Sequence, residues 1–145
     1  MGSLLPWSPS LKMPVIVSSL LLDARYMKWR LRAAAGLYLL VLILGSVPGA
    51  RQKLGELASG GVLHSLTYGV ITLLLFAGFD FARVHKAGAA VLTVVCMGAL
   101  DEYVQSFFPY RSATVHDWLV DIAASAIAAL ALCLWWPEER AQSQV

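Results

Sequence analysis

His64, Asp101, Glu102, Gln105, Arg111, Asp117 and Asp121 are the residues of this 145-residue chain best equipped to do chemistry. An imidazole titrates near neutral pH and can pass a proton or ligate a metal. Carboxylates beside it can take a proton, orient it, or hold a cation. His64-Ser-Leu-Thr-Tyr68 sets a phenol one helical turn from the imidazole, and Asp101 and Gln105 are again four apart, so each pair shares a helix face. Asp117 and Asp121 repeat that spacing. Asp101 and Glu102 are adjacent, point about 100° apart on a helix and cannot face one partner. Asp101 lies on the Gln105 face and is the better site candidate. Glu102 turns toward the following loop and Arg111.

These residues sit in a chain that is 59% apolar and only 14% charged, with a mean hydropathy of +0.68. A soluble domain carries about 25% charged residues. That much apolar side chain excludes a disordered chain. A net charge of +2 with no large basic face argues against a nucleic-acid partner. Cys96 and Cys133 both lie within apolar runs and make no disulfide scaffold. The composition is that of an all-α, polytopic membrane protein. A helix needs about 20 apolar residues to cross about 30 Å of hydrocarbon. Four stretches reach or approach that length, at about 31–47, 57–79, 87–108 and 118–136, with Pro48, Pro109 and Pro137 as stops.

The expected architecture is a four-transmembrane-helix bundle over residues 31–136. An N-terminal cytoplasmic or interfacial extension covers 1–30, and a cytoplasmic tail covers 137–145. Within the extension, residues 13–22 form an apolar patch too short to span. Met27, followed by Lys28, Arg30 and Arg32, reads as an alternative start. A cleaved signal peptide over 28–50 is a rival reading that Pro48 fits poorly.

Lys12, Arg25, Lys28, Arg30, Arg32, Arg83, Lys86 and Arg140 fall on one side of the spans, and only Arg51, Lys53 and Arg111 on the other. That asymmetry puts both termini in the cytoplasm. Trp29, Trp135 and Trp136 then form an inner aromatic belt, with Phe107, Phe108, Tyr110 and Trp118 in an outer one. His64 and Asp101 lie about 10 Å below the outer surface and Asp121 about 6 Å. A charge buried in hydrocarbon costs about 2.5–3.5 kcal/mol, so such groups face a partner or a wet cavity. Small residues continue each polar face: Gly60 or Gly61 with His64 and Tyr68; Ala90, Val94 and Gly98 with Asp101 and Gln105; Ala124, Ala128 and Ala131 with Asp117 and Asp121. Such faces let helices approach closely. An acidic pocket opening outward is expected.

His64-Ser-Leu-Thr-Tyr68-Gly resembles the His-x-x-x-Tyr segment of the VanZ-like family of small membrane proteins. Asp101-Glu102-Tyr-Val-Gln105-Ser-Phe-Phe-Pro109-Tyr-Arg111-Ser112 resembles its Asp-Glu-x-x-Gln…Pro-Gly-Arg-Ser stretch, and Asp117 with Asp121 its Asp-x-x-x-Asn pair. The likeness covers about 31–136. Tyr110 stands where the family usually has Gly, which alters the turn before Arg111. Asp121 stands where it usually has Asn, which adds a carboxylate. The resemblance implies a cell-envelope role in a bacterial cytoplasmic (inner) membrane, tied to glycopeptide (teicoplanin) resistance, with no established reaction.

Four carboxylates against one arginine repel a bare phosphate. A cationic group could bind there directly, or a divalent cation could bridge carboxylates to a lipid phosphate, with His64, Asp101 and Asp121 as candidate ligands. The leading expectation is a non-enzymatic protein that binds an amphipathic cell-wall lipid precursor or glycopeptide-type ligand. His64, Tyr68, Asp101, Glu102, Gln105, Arg111, Ser112, Asp117 and Asp121 are its candidate binding residues. An alternative is a membrane hydrolase or transferase acting on a lipid headgroup through His64, Asp101 and Asp121, although no hydrolase signature accompanies them. A third is a small proton-coupled transporter, which four helices would form as a homo-oligomer. Plainer roles stand beside these. Asp117 suits a helix cap, Arg111 a counterion, Ser112 a turn, His85 and His116 loops, and the cysteines simple packing.

Overall fold

Where apolar runs meet residues that cannot continue a helix, this chain turns. The computed structural model describes residues 15–49, 53, 58–110 and 114–137. Within these, α1 is Val15–Leu22, a single 3-10 turn is Ala24–Tyr26, α2 is Met27–Ser46, α3 is Gly60–Gly78, α4 is Arg83–Gln105 and α5 is Val115–Trp135. No strand occurs among the described residues. The helix α2 ends before Pro48-Gly49, where Gly49 takes φ 79°, a left-handed conformation that glycine adopts without a Cβ clash. Ser59 caps α3 by accepting from Val62 N at 3.4 Å, and Thr114 caps α5 by accepting from Asp117 N at 3.2 Å.

Four helical stretches among the described residues are long and apolar enough to cross a membrane: Ala24–Ser46, Gly60–Gly78, Arg83–Gln105 and Val115–Trp135. The shortest, at 19 residues, measures about 28 Å at 1.5 Å per residue. Three spans begin earlier than expected from apolar content alone. Arg83 opens α4 rather than preceding it, because its guanidinium reaches the end of α5 and Nη1 donates to Cys133 O at 3.4 Å. A cation there also suits the negative end of the α5 dipole. His85 and His116, expected in loops, lie in the first turns of α4 and α5.

The expected extension over 1–30 overlaps the bundle, since α2 already begins at Met27. Arg30 explains this: its side chain folds back on α1, with Nη2 donating to Asp23 O at 2.9 Å and Nη1 to the carbonyls of Leu20 and Leu21. The last carbonyls of α1 are thus satisfied by a residue of α2. Asp23 caps the 3-10 turn, and its bonds from the Arg25 side chain hold its carboxyl below the usual range. At eight residues, α1 is too short to span.

The helix α3 packs against α2, α4 and α5, and α2 also meets α4. Ala34, Tyr38, Ile71, Leu75, Phe76, Ala90 and Val94 form the core around it. Lipid gives no hydrophobic drive toward association, so close approach and hydrogen bonds hold the bundle. At Gly78 an added Cβ would stand 2.7 Å from Leu31 Cδ2, and at Gly98 one would stand 2.9 Å from Trp118 Cδ1. Tyr38 Oη donates across to Met97 O at 2.9 Å. Two of the expected belt residues also pack within the bundle. Trp118 donates from Nε1 to Val95 O at 3.0 Å, and Trp136 meets Phe76 edge-on at 5.1 Å. Trp29 and Trp135 remain exposed.

Candidate functional site

Two up-and-down connections bring α3 and α5 parallel, so residues equally far along each can meet. His64 Nδ1 donates to Asp121 Oδ1 at 2.9 Å. An ionised carboxylate can only accept, so against it Nδ1 is the donor. Two turns deeper, Thr72 Oγ1 lies 2.9 Å from Ser125 Oγ and 2.7 Å from Tyr68 O. These two rungs join the helices. The buried face of α5 is accordingly Asp121, Ser125 and Ala129 rather than the expected Ala124, Ala128 and Ala131 stripe. The reason is rotational: the face centres on the residues that bond α3. Thr72 and Ser125 are buried polar groups that the sequence reading passed over. Their signal was present as continued i, i+4 ladders, His64-Tyr68-Thr72 and Asp117-Asp121-Ser125.

On α4, the expected face is the buried one: Ala90, Val94, Gly98, Asp101 and Gln105. Asp101 is 1% exposed, and neither carboxylate oxygen has a hydrogen-bond partner. The Tyr68 hydroxyl is buried and equally unpartnered. Both line a cavity of about 250 Å³ between α2, α3 and α4. One wall of it is apolar, built from Leu37, Leu40, Val41 and Leu44, and Leu63 faces it from α3. The cavity runs from Gly45 and Gly60 at the helix ends inward to Tyr68, about 12 Å at 1.5 Å per residue. His64, Thr67 and Gln105 complete the lining. Stacking on Tyr68, with ring centroids 6.0 Å apart, leaves His64 between this cavity and Asp121.

The other expected site residues go elsewhere. Glu102 accepts from Thr114 N at 2.7 Å, tying the end of α4 to the cap of α5. It borders a smaller hollow with Ala99, Thr114, Val115 and Trp118. Asp117 sits in the first turn of α5, where its N–H is capped by Thr114 and its carboxylate lies 3.7 Å from His116 Nδ1. Neither it nor Asp121 lines the main cavity. The expected pocket of four acids is therefore an apolar cavity with one carboxylate, because α5 turns its acids toward α3 and its own N-terminus. Arg111 and Ser112 lie outside the described residues. Among the described residues no three His, Cys, Asp or Glu side chains converge to hold a metal ion. Among the candidate ligands, His64 and Asp121 pair with each other, and no hydrogen bond joins Asp101 to either.

No curated protein and no solved structure matches this chain. Residues 17–136, which hold all four spans and both polar rungs, match the VanZ/LLP1 family. With most of its length covered by that match, the chain belongs to the VanZ/LLP1 family of multi-pass membrane proteins.

Proposed function

We propose that this protein binds an amphipathic cell-envelope molecule, a cell-wall lipid precursor or glycopeptide-type ligand, in the α2–α3–α4 cavity. On this reading it lies in the bacterial cytoplasmic membrane with both termini inside, so the Gly60 end of the bundle faces outward. The family supports an envelope role, with a contribution to antibiotic resistance as its consequence. One observation carries the binding reading. Asp101 is buried with both oxygens unbonded at an apolar-walled cavity. A buried polar group without partners costs about 1–3 kcal/mol, a cost that a bound donor offsets. Leu37, Leu40, Val41 and Leu44 supply the surface for an apolar chain, and Asp101 the end that selects its head.

Lipids extracted from the purified wild-type chain are expected to include an amphiphile that Asp101→Asn loses and Asp121→Asn keeps. Identical lipids in all three preparations would overturn the reading.

The His64–Asp121 pair favours a second reading. With Nδ1 held by Asp121, Nε2 is available to take a proton from a bound headgroup, the arrangement of a general base with its orienting carboxylate. On that reading the same extracts contain a cleaved or transferred headgroup in the wild type, absent with His64→Asn.

A further inference from the structure

We infer that the buried end of the ligand is a primary ammonium group. This rests on the binding reading above and specifies its chemistry. Two residues that line the cavity carry three buried oxygens without partners: Asp101 Oδ1, Asp101 Oδ2 and Tyr68 Oη. A primary ammonium carries three N–H donors and no acceptor. Its donors match that set one for one, and its charge is opposite to the carboxylate's. A carboxylate accepting from a charged donor makes a bond about twice as strong as a neutral pair. A hydroxyl head has one donor and leaves two of the three oxygens bare. A phosphate brings acceptors to acceptors and a second negative charge.

The surroundings hold the same sign. Among the described residues no lysine or arginine lines the cavity. His64, which also lines it, has its Nδ1 committed to Asp121. From α2 the facing residues are Leu37, Leu40, Val41, Leu44 and Gly45, with no charge to answer Asp101. Among the described residues no cation pairs with Asp101, and a ligand that carries one would complete it. Gln105, one turn along the same face and 2% exposed, adds an amide beside the carboxylate. The apolar wall then receives the chain attached to the nitrogen.

Three probes of equal chain length separate the heads: dodecylamine, dodecanol and dodecyl phosphate, titrated onto the full chain in uncharged detergent micelles and followed by native mass spectrometry. Dodecylamine is expected to bind at least ten-fold more tightly than either other probe. Asp101→Asn is expected to lower that affinity ten-fold or more while changing dodecanol less than two-fold. Val41→Trp, which fills the apolar wall, is expected to weaken all three. If the probes bind alike and Val41→Trp weakens them all, the ammonium assignment is overturned while the cavity reading stands. If Val41→Trp leaves every probe unaffected, the cavity reading falls and the assignment with it. Should Asp101→Asn fail to fold, the ranking of the three probes on the wild type and on Val41→Trp decides the matter.

Discussion

Two polar clusters adjoin α3, and they differ in what completes them. Toward α5, His64 meets Asp121 and Thr72 meets Ser125, so each of these side chains has a partner within the chain. Only Asp121 Oδ2 is left over there. Toward α2 and α4, Asp101 and the Tyr68 hydroxyl are as deeply buried and have none. Both clusters hold a buried carboxylate and buried hydroxyls, so burial and residue type do not distinguish them. The neighbours do. On the α5 side a second helix supplies matching donors and acceptors at close range. On the α2 side leucines and a valine line the cavity that Asp101 borders, and none offers it a hydrogen bond. Polar groups completed internally hold helices together, whereas polar groups left incomplete beside a cavity are set to meet something from outside.

The sharpest way to break this contrast is at Asp121. Asp121→Leu strands His64 Nδ1 in a buried site, which is expected to lower bundle stability by about 2 kcal/mol, within the range for an orphaned buried donor. Asp121→Asn keeps an oxygen for Nδ1–H and is expected to stay within about 0.5 kcal/mol of wild type. Unfolding in mixed micelles with increasing dodecyl sulfate, followed by helical circular dichroism, measures both. Equal loss in the two variants would mean that the carboxylate charge, rather than the hydrogen bond, holds α3 to α5.

The second rung tests the same side more gently. Thr72→Val, Ser125→Ala and the double variant form a cycle whose coupling is expected near 0.6 kcal/mol, the average for bonds between membrane helices. The value is small because Thr72 Oγ1 retains its bond to Tyr68 O when Ser125 is removed. Zero coupling would reduce the rung to simple packing and leave His64–Asp121 as the sole polar tie between the two helices.

This division also explains which features could be read from the sequence. The four spans and the buried face of α4 follow from apolar length and from periodicity, properties of one helix at a time. Ala90, Val94, Gly98, Asp101 and Gln105 lie on a single stripe whatever α4 packs against. What Asp121 touches depends on how far α5 is rotated and where it crosses α3, and no property of α5 alone decides that. The stripe expected from α5 alone accordingly lies about one residue from the observed one, on alanines rather than on Ser125. Glu102 was rightly turned away from Asp101, but its partner is the Thr114 amide, which belongs to the cap of the next helix. Trp118 reads as a belt residue by position near a helix end. Its indole instead fills the space that Gly98 leaves open and bonds Val95 O.

The effect expected at Asp101 is the most informative, because its sign differs. If the α2 side is incomplete without a ligand, Asp101 contributes nothing to the stability of the empty protein. Asp101→Leu removes two unbonded oxygens and places an apolar side chain beside the apolar wall of the cavity. Replacing an unsatisfied polar group by an apolar one is neutral or stabilising, and binding sites commonly give up stability for function. The ligand-free Asp101→Leu chain is therefore expected to match wild type or exceed it by up to about 1 kcal/mol in the same dodecyl sulfate titration. Added ligand should stabilise the wild type alone, since only a chain that binds gains by mass action. A loss comparable to that of Asp121→Leu would place Asp101 among the groups that hold helices together and erase the distinction between the two clusters.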